Sequence, residues 1–95
     1  MPFDIPKIEN PHFVYLARCS DKSLYVGYCS NITKREKAHN EGKGAYFTRK
    51  RRPIKIIYFE KYLSEIEAIR RELQIKKWSR IKKENLAKHG HPTKF

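Results

Sequence analysis

Five side chains of this sequence could do chemistry together, and they come from three separate predicted elements. Tyr15 and Tyr25 lie in a predicted β-hairpin, Arg35 and His39 are four residues apart on a predicted helix, and Glu72 lies amid the apolar side of a later helix. A carboxylate on a core-facing stripe must be exposed at the helix end, paired, or bound to a cation. Because the formal net charge of the chain is +12, the combination suggests a place where a cation and an anionic substrate meet.

Glu72 also has an ordinary explanation. Lys76 follows it by four residues, and an i, i+4 ion pair on a helix is worth about 0.2–0.5 kcal/mol. On a helical wheel, Glu72 falls between two apolar edges, which are formed by Ile66, Ile69 and Leu73 and by Ala68 and Ile75. Taken alone, the spacing favours the ion pair.

The other four side chains have ordinary explanations of the same kind. Arg35 and His39 share a helix face with Ile32 and could form a solvated basic surface. Tyr15 and Tyr25, taken singly, are common sheet aromatics. Taken alone, residue type and spacing favour these ordinary explanations.

The composition predicts one soluble domain with a polyanionic partner. The chain has 95 residues, of which 39% are hydrophobic, enough for a modest core. Lys and Arg total 22 against 10 acidic residues, an excess typical of proteins that bind nucleic acid or an anionic membrane surface. Membrane binding is disfavoured, because no helix has a large apolar face beyond the core. The start of the chain lacks signal-peptide character, so we expect a cytoplasmic protein that binds nucleic acid.

The hydrophobic pattern predicts three strands and three helices. Strands are predicted at residues 13–19, 24–29 and 54–62, and helices at residues 32–40, 64–78 and 79–88. The first strand is apolar on both faces and is therefore predicted to be interior to the sheet. Ser64 and Glu67 form a capping box, while Gly42 and Gly90 end the first and third helices. Residues 42–53 are predicted to be a loop, with four consecutive cations at residues 49–52.

The register of the hairpin decides whether the two tyrosines can cooperate. Pairing Cys19 with Leu24 puts Tyr15 and Tyr25 on opposite faces, whereas pairing Ser20 with Leu24 puts both on one face. Neither register brings Cys19 opposite Cys29, so a disulfide is disfavoured and both are predicted to be buried free thiols.

Two triplets and three single residues form an ordered set along the chain, namely Phe13-Val14-Tyr15, Tyr25-Val26-Gly27, Arg35, His39 and Glu72. In this order and spacing the set resembles the GIY-YIG nuclease superfamily, over about residues 12–86. The loop residues Gly42-Lys43-Gly44 and Thr48 are similar to those of its small single-domain bacterial members. Phe13 replaces the glycine of the first triplet, and His39 is similar to the histidine of structure-specific junction endonucleases rather than to the tyrosine of excision-repair enzymes.

The resemblance implies an α+β fold, with a small three-stranded, mainly antiparallel sheet flanked by helices. It divides the chain into an N-terminal arm (residues 1–11), a GIY-YIG-like nuclease domain (residues 12–86) and a flexible basic C-terminal tail (residues 87–95). The oligomeric state is left open.

The resemblance also implies a divalent-metal-dependent endonuclease. Glu72 would hold one Mg²⁺ or Mn²⁺ ion, and no small-molecule cofactor is expected. Arg35 would bind the scissile phosphate. One of Tyr15 and Tyr25 would be the general base, with its pKa of about 10 lowered by nearby cations. His39 would orient that tyrosine or relay its proton, and Gly27 would leave room for the site.

The expected substrate is DNA with a branch or a single-stranded part, as in DNA repair. Basic residues of the loop and of the two late helices are predicted to contact the DNA backbone, namely Arg49, Lys50, Arg51, Arg52, Lys76, Lys77, Arg80, Lys82 and Lys83. Such contacts select DNA shape rather than sequence. The alternative function is a non-catalytic nucleic-acid-binding module, including a small ribosome-associated protein, which has no reason to retain the five candidate residues.

Overall fold

The computed structural model describes residues 11–91. Most of the predicted arm and the last four residues of the predicted tail lie outside the described residues. Seven elements follow one another: β1 (His12–Arg18), β2 (Leu24–Cys29), α1 (Ile32–Asn40), α2 (Tyr46–Arg49), β3 (Lys55–Tyr62), α3 (Glu65–Lys76) and α4 (Arg80–His89). The predicted α+β fold is confirmed.

The three strands form one antiparallel sheet in the order β2-β1-β3. The central place of β1 follows from its sequence, because a strand that is apolar on both faces must be covered on both. Val14 and Leu16 pack on one face with Ala68 and Ile75 of α3. On the other face a second core consists of Tyr15, Ala17, Cys19, Cys29 and Ile54. The sheet therefore separates α3 from the tyrosine side of the molecule.

The hairpin between β1 and β2 uses neither of the two registers considered from the sequence. Arg18 pairs with Leu24 across a loop of five residues. Lys22 takes the positive φ of 71° that the turn requires, and Asp21 Oδ1 accepts a 3.0 Å hydrogen bond from the Ser23 amide. This register is shifted by two residues from the Ser20–Leu24 pairing. A shift by two residues keeps each side chain on the same face of the sheet, so Tyr15 and Tyr25 lie on one face.

One segment differs from its predicted structure. The predicted loop at residues 42–53 contains the four-residue helix α2, whose Ala45 cap provides no side-chain hydrogen bond and so left no capping signal in the sequence. Helix α4 ends at Gly90 as predicted, where the Gly90 amide, at a φ of 79°, donates to the Leu86 carbonyl. The first residues of the predicted tail are therefore helical.

Polar contacts fix the helices that carry the site. Asn31 caps α1 by accepting from the Lys34 amide at 2.9 Å. Arg18 makes a bidentate pair with Glu84, at 2.6 and 2.7 Å, which ties α4 to the central strand. Cys19 and Cys29 are buried free thiols, as predicted. Within residues 11–91 no helix is long and apolar enough to cross a bilayer.

Candidate active site

A buried chain of hydrogen bonds links Tyr15, His39 and Thr48. Tyr15 Oη lies 2.7 Å from His39 Nε2, and His39 Nδ1 lies 2.8 Å from Thr48 Oγ1. The Thr48 hydroxyl donates its single proton to the carbonyl of Ala45 at 2.9 Å, so it accepts from Nδ1–H of His39. The Nε2 atom of His39 therefore carries a lone pair and accepts the phenolic proton of Tyr15.

The electrostatics keep this chain uncharged. Burial, and then the positive charge of Arg35, lower the pKa of His39 below its ordinary value of 6.5, so the imidazole is neutral at pH 7. Burial, and then the neighbouring Tyr25, raise the pKa of Tyr15 above 10, against the opposing effect of Arg35. A tyrosine that acts as general base near neutral pH would need a lowered pKa. The pKa of Tyr15 shifts upward instead, because desolvation outweighs the effect of the nearby Arg35 cation.

Tyr25 is the more accessible tyrosine. Its ring centroid lies 6.2 Å from that of Tyr15 and 5.4 Å from that of His39, and it stacks on Phe47 at 5.9 Å. Tyr15 is 1% exposed, whereas Tyr25 is half-buried. Within residues 11–91 the Tyr25 hydroxyl makes no hydrogen bond, so it is available to a substrate.

Two glycines make room for these rings. A Cβ atom at Gly27, which pairs with Tyr15 in the hairpin, would lie 2.6 Å from Tyr15 Oη and 2.9 Å from Tyr25 Cε2. A Cβ atom at Gly44 would lie 2.1 Å from Nδ1 of His39. A side chain at either position would therefore displace a member of the buried chain. The structural role predicted for Gly27 has its physical basis in these distances.

Arg35 projects beside the buried chain from the exposed face of α1. Its charge acts on the pKa values of Tyr15, His39 and Cys29, so it lies near all three. Its guanidinium makes no hydrogen bond or ion pair with any residue between 11 and 91, and it borders two clefts of about 370 and 430 Å³. An unpaired guanidinium at the wall of a cleft suits a phosphate group.

Glu72 comes from the helix that covers the other face of the sheet. It lies on α3, and its side chain is only 12% exposed. Lys76 Nζ lies 3.3 Å from Glu72 Oε2, so the ordinary ion pair is formed. The negative charge of Glu72 nevertheless contributes to the raised pKa of Tyr15. Helix α3 packs on the face of the sheet opposite to Tyr15.

The predicted DNA-contacting cations differ in how far they are already engaged. Arg51 pairs with Asp21 at 3.0 Å and lies 3.9 Å above the Phe47 ring. Arg52, Arg80 and Lys82 contact backbone carbonyls, a carboxylate or an aromatic ring. Among the described residues, by contrast, the side chains of Arg49, Lys77 and Lys83 make no hydrogen bond or ion pair.

A model of the GIY-YIG catalytic domain matches residues 11–85. This chain belongs to the GIY-YIG family. A UPF0213 protein of Staphylococcus aureus (strain Mu3) is 47% identical over 77 residues, which cover 81% of this chain and 94% of that protein. GIY-YIG proteins are a nuclease family and generally act on DNA with a divalent metal, so the match indicates a nuclease-type hydrolase.

Two solved structures share the fold. The solution structure of the UPF0213 protein of Bacillus halodurans is 41% identical, with a TM-score of 0.54, and the match covers 82% of this chain and 83% of that one. A protein from E. faecalis is 37% identical, with a TM-score of 0.59, and the match covers 92% and 93% of the two chains. The resemblance to the small single-domain GIY-YIG branch is thereby confirmed.

The donor set at Glu72 fits the divalent ion that GIY-YIG nucleases generally use. Within residues 11–91 no group of three or more His, Cys, Asp or Glu side chains could hold a metal, and Glu72 is the carboxylate that the resemblance assigns to the ion. Mg²⁺ suits such a site, because it retains most of its water ligands and adds substrate oxygens. The shielded Glu72 carboxylate pairs with Lys76, whose side chain is 47% exposed.

Thr48 and Gly44 are site residues to which the sequence analysis gave no role. Both belong to the loop that resembles the small GIY-YIG members, and that similarity was the available signal. A buried threonine nine residues from His39 cannot be predicted to bond its Nδ1, because that contact depends on how the loop folds back onto α1.

Replacing Thr48 with valine tests the orientation of His39. The substitution keeps the shape but removes the acceptor of Nδ1–H, so we expect the Nε2–H tautomer to become populated and stability to fall by about 1–3 kcal/mol. The ¹⁵N shifts of the imidazole in NMR report the tautomer directly. Thr48→Ser should restore the Nδ1–H form, whereas an unchanged tautomer in Thr48→Val would contradict this assignment.

Proposed function

We propose that this protein is a metal-dependent endonuclease that hydrolyses DNA phosphodiester bonds and selects DNA structure rather than sequence. One observation carries the proposal. Two polar groups without a partner among residues 11–91, the Tyr25 hydroxyl and the Arg35 guanidinium, border a buried chain in which every polar atom is satisfied. Polar groups that have no partner in the protein and lie beside a rigid, neutral set of hydrogen-bonded side chains are suited to bind a substrate.

Tyr25 is the group best placed to meet the attacking water. A general base must come within hydrogen-bond distance of the water that it deprotonates. Tyr25 is half-buried with a free hydroxyl, whereas Tyr15 is buried and already donates its proton to His39. We therefore assign the general base to Tyr25. His39, held neutral and in edge contact with the Tyr25 ring, orients it.

Arg35 would bind the scissile phosphate and offset the negative charge that grows on it in the transition state. Arginine suits this role because its planar guanidinium can donate two parallel hydrogen bonds to phosphate oxygens. Within residues 11–91 no carboxylate pairs with it, so phosphate would not have to displace a protein partner.

Glu72 would hold the divalent ion. Lys76, its ion-pair partner, lines the same cleft as Tyr25, which supports a metal position on the Tyr25 side of the molecule. When bound, the ion supplies positive charge that stabilises the leaving oxygen. With one protein carboxylate as ligand, a single-metal mechanism is favoured.

A nuclease assay on branched and linear DNA tests the proposal. The purified protein is incubated with Mg²⁺, with Mn²⁺ or with chelator, and products are resolved on a denaturing gel. We expect cleavage that needs the metal and that is faster on branched or partly single-stranded DNA than on blunt duplex. Binding without cleavage under every condition would instead support the non-catalytic nucleic-acid-binding module.

A further inference from the structure

The outer edge of β2 carries a second recess beside the candidate site. A cleft of about 210 Å³ is lined by Leu24, Tyr25, Val26, Phe47, Lys76 and Lys83, and we call it the Lys83 cleft. It shares Tyr25 with the site, and Lys76 of its rim contacts Glu72. Arg35 borders a separate cleft with Lys34 and Lys43. Lysines therefore line a cleft beside Tyr25 and another beside Arg35.

The lining of the Lys83 cleft combines two kinds of chemistry. Leu24, Val26 and the rings of Tyr25 and Phe47 form an apolar wall, and two lysines form the rim. Unlike Lys76, Lys83 makes no hydrogen bond or ion pair with a described residue, and no carboxylate lines the cleft. Unpaired nucleotides are bound by this combination, since bases pack on aromatic and apolar side chains while cations hold the backbone.

We infer that the Lys83 cleft binds one unpaired nucleotide next to the scissile phosphate, with its phosphate on Lys83. This inference rests on the proposed function, because it takes the scissile phosphate to lie at Tyr25 and Arg35. Bases in duplex are stacked and paired, so they enter the cleft only after unpairing. A preference for nucleic acid with a single-stranded part follows.

Lys83→Gln tests the cleft by removing one charge without removing the side chain. Binding is measured by fluorescence anisotropy in chelator, with a single-stranded oligodeoxynucleotide, an oligoribonucleotide of the same sequence and a blunt DNA duplex. We expect Lys83→Gln to weaken single-strand binding about five- to tenfold, and to flatten the slope of log K against log salt by about 0.7, the value for one lost phosphate contact. Duplex binding should change no more than in the control.

Lys88→Gln is the matched control, because Lys88 lies on the same helix and lines none of the clefts at the site. Lys83→Arg should retain single-strand binding, since it keeps the charge. Equal losses for Lys83→Gln and Lys88→Gln, or equal losses on single strand and duplex, would overturn the inference. The DNA and RNA arms show which of the two strands the cleft accepts.

The measurement in chelator separates this inference from the proposed nuclease activity. If the parent cleaves no substrate with Mg²⁺ but Lys83→Gln still loses single-strand binding selectively, nucleotide binding in the cleft is supported and the nuclease proposal is contradicted. If the parent cleaves branched DNA and Lys83→Gln binds single strands as the parent does, the nuclease assignment stands and the cleft falls.

Discussion

Glu72→Gln will abolish metal-dependent cleavage and leave the fold intact. The substitution keeps the size of a side chain that is 12% exposed but removes the only carboxylate assigned to the metal. Because a bound metal supplies several kcal/mol of transition-state stabilisation, we expect the rate to fall about a thousandfold or more. The lost ion pair with Lys76 should cost less than about 1 kcal/mol of unfolding free energy. Single-turnover cleavage and urea denaturation measure the two effects.

Two further variants separate the metal role of Glu72 from its ion pair. Lys76→Gln breaks the same pair but keeps the carboxylate, so it should lose far less activity. Glu67→Gln removes an exposed carboxylate from the same helix and should retain parental activity. Unfolding of Glu72→Gln would indicate a structural role for the carboxylate, and parental cleavage by that variant would remove Glu72 from the mechanism.

Tyr25→Phe will lower the cleavage rate by about 10²–10⁴, the usual contribution of a general base. Its stability should change by less than about 0.5 kcal/mol, because the Tyr25 hydroxyl bonds no described residue and the ring contacts with Phe47 and His39 are kept. Rates measured on one DNA substrate with saturating Mg²⁺, together with thermal unfolding, provide both values.

Tyr15→Phe is the matched comparison for Tyr25→Phe. It removes the proton donor of His39 Nε2 and leaves a buried acceptor unpaired, so it should lower the unfolding free energy by about 1–3 kcal/mol. Its rate loss should be smaller than that of Tyr25→Phe under conditions where both variants are folded. A fully active Tyr25→Phe beside an inactive, folded Tyr15→Phe would transfer the general base to Tyr15.

Several features of this protein follow from local sequence, because they depend on near neighbours in the chain. The two-sided apolar run of β1 predicts a central strand, and the Ser64–Glu67 capping box predicts where α3 begins. The bounds of β2 and α1 agree with those predicted. The buried thiols of Cys19 and Cys29 follow from the lack of a partner at a suitable position.

Other features could not be read from the sequence, because they depend on contacts between distant residues. The hairpin loop has no glycine to mark its turn, so the pairing of Arg18 with Leu24 was missed. Helix α2 has no side-chain cap, and it is this helix that brings Thr48 to His39. The unequal burial of the two tyrosines follows from packing on α1 and α2, and it leaves the Tyr25 hydroxyl without a hydrogen bond among residues 11–91 while Tyr15 is bonded to His39.

The sequence by itself determined the order of the elements, and its residue types predict the five candidate residues, including Glu72 and Arg35, and an anionic partner. Only the tertiary structure decided that Thr48 and Gly44 lie against His39, and that His39 presents Nε2 to Tyr15. The physical reason is distance along the chain. Tyr15 and His39 are 24 residues apart, and a hydrogen bond over such a separation exists only once the sheet and the helices have packed.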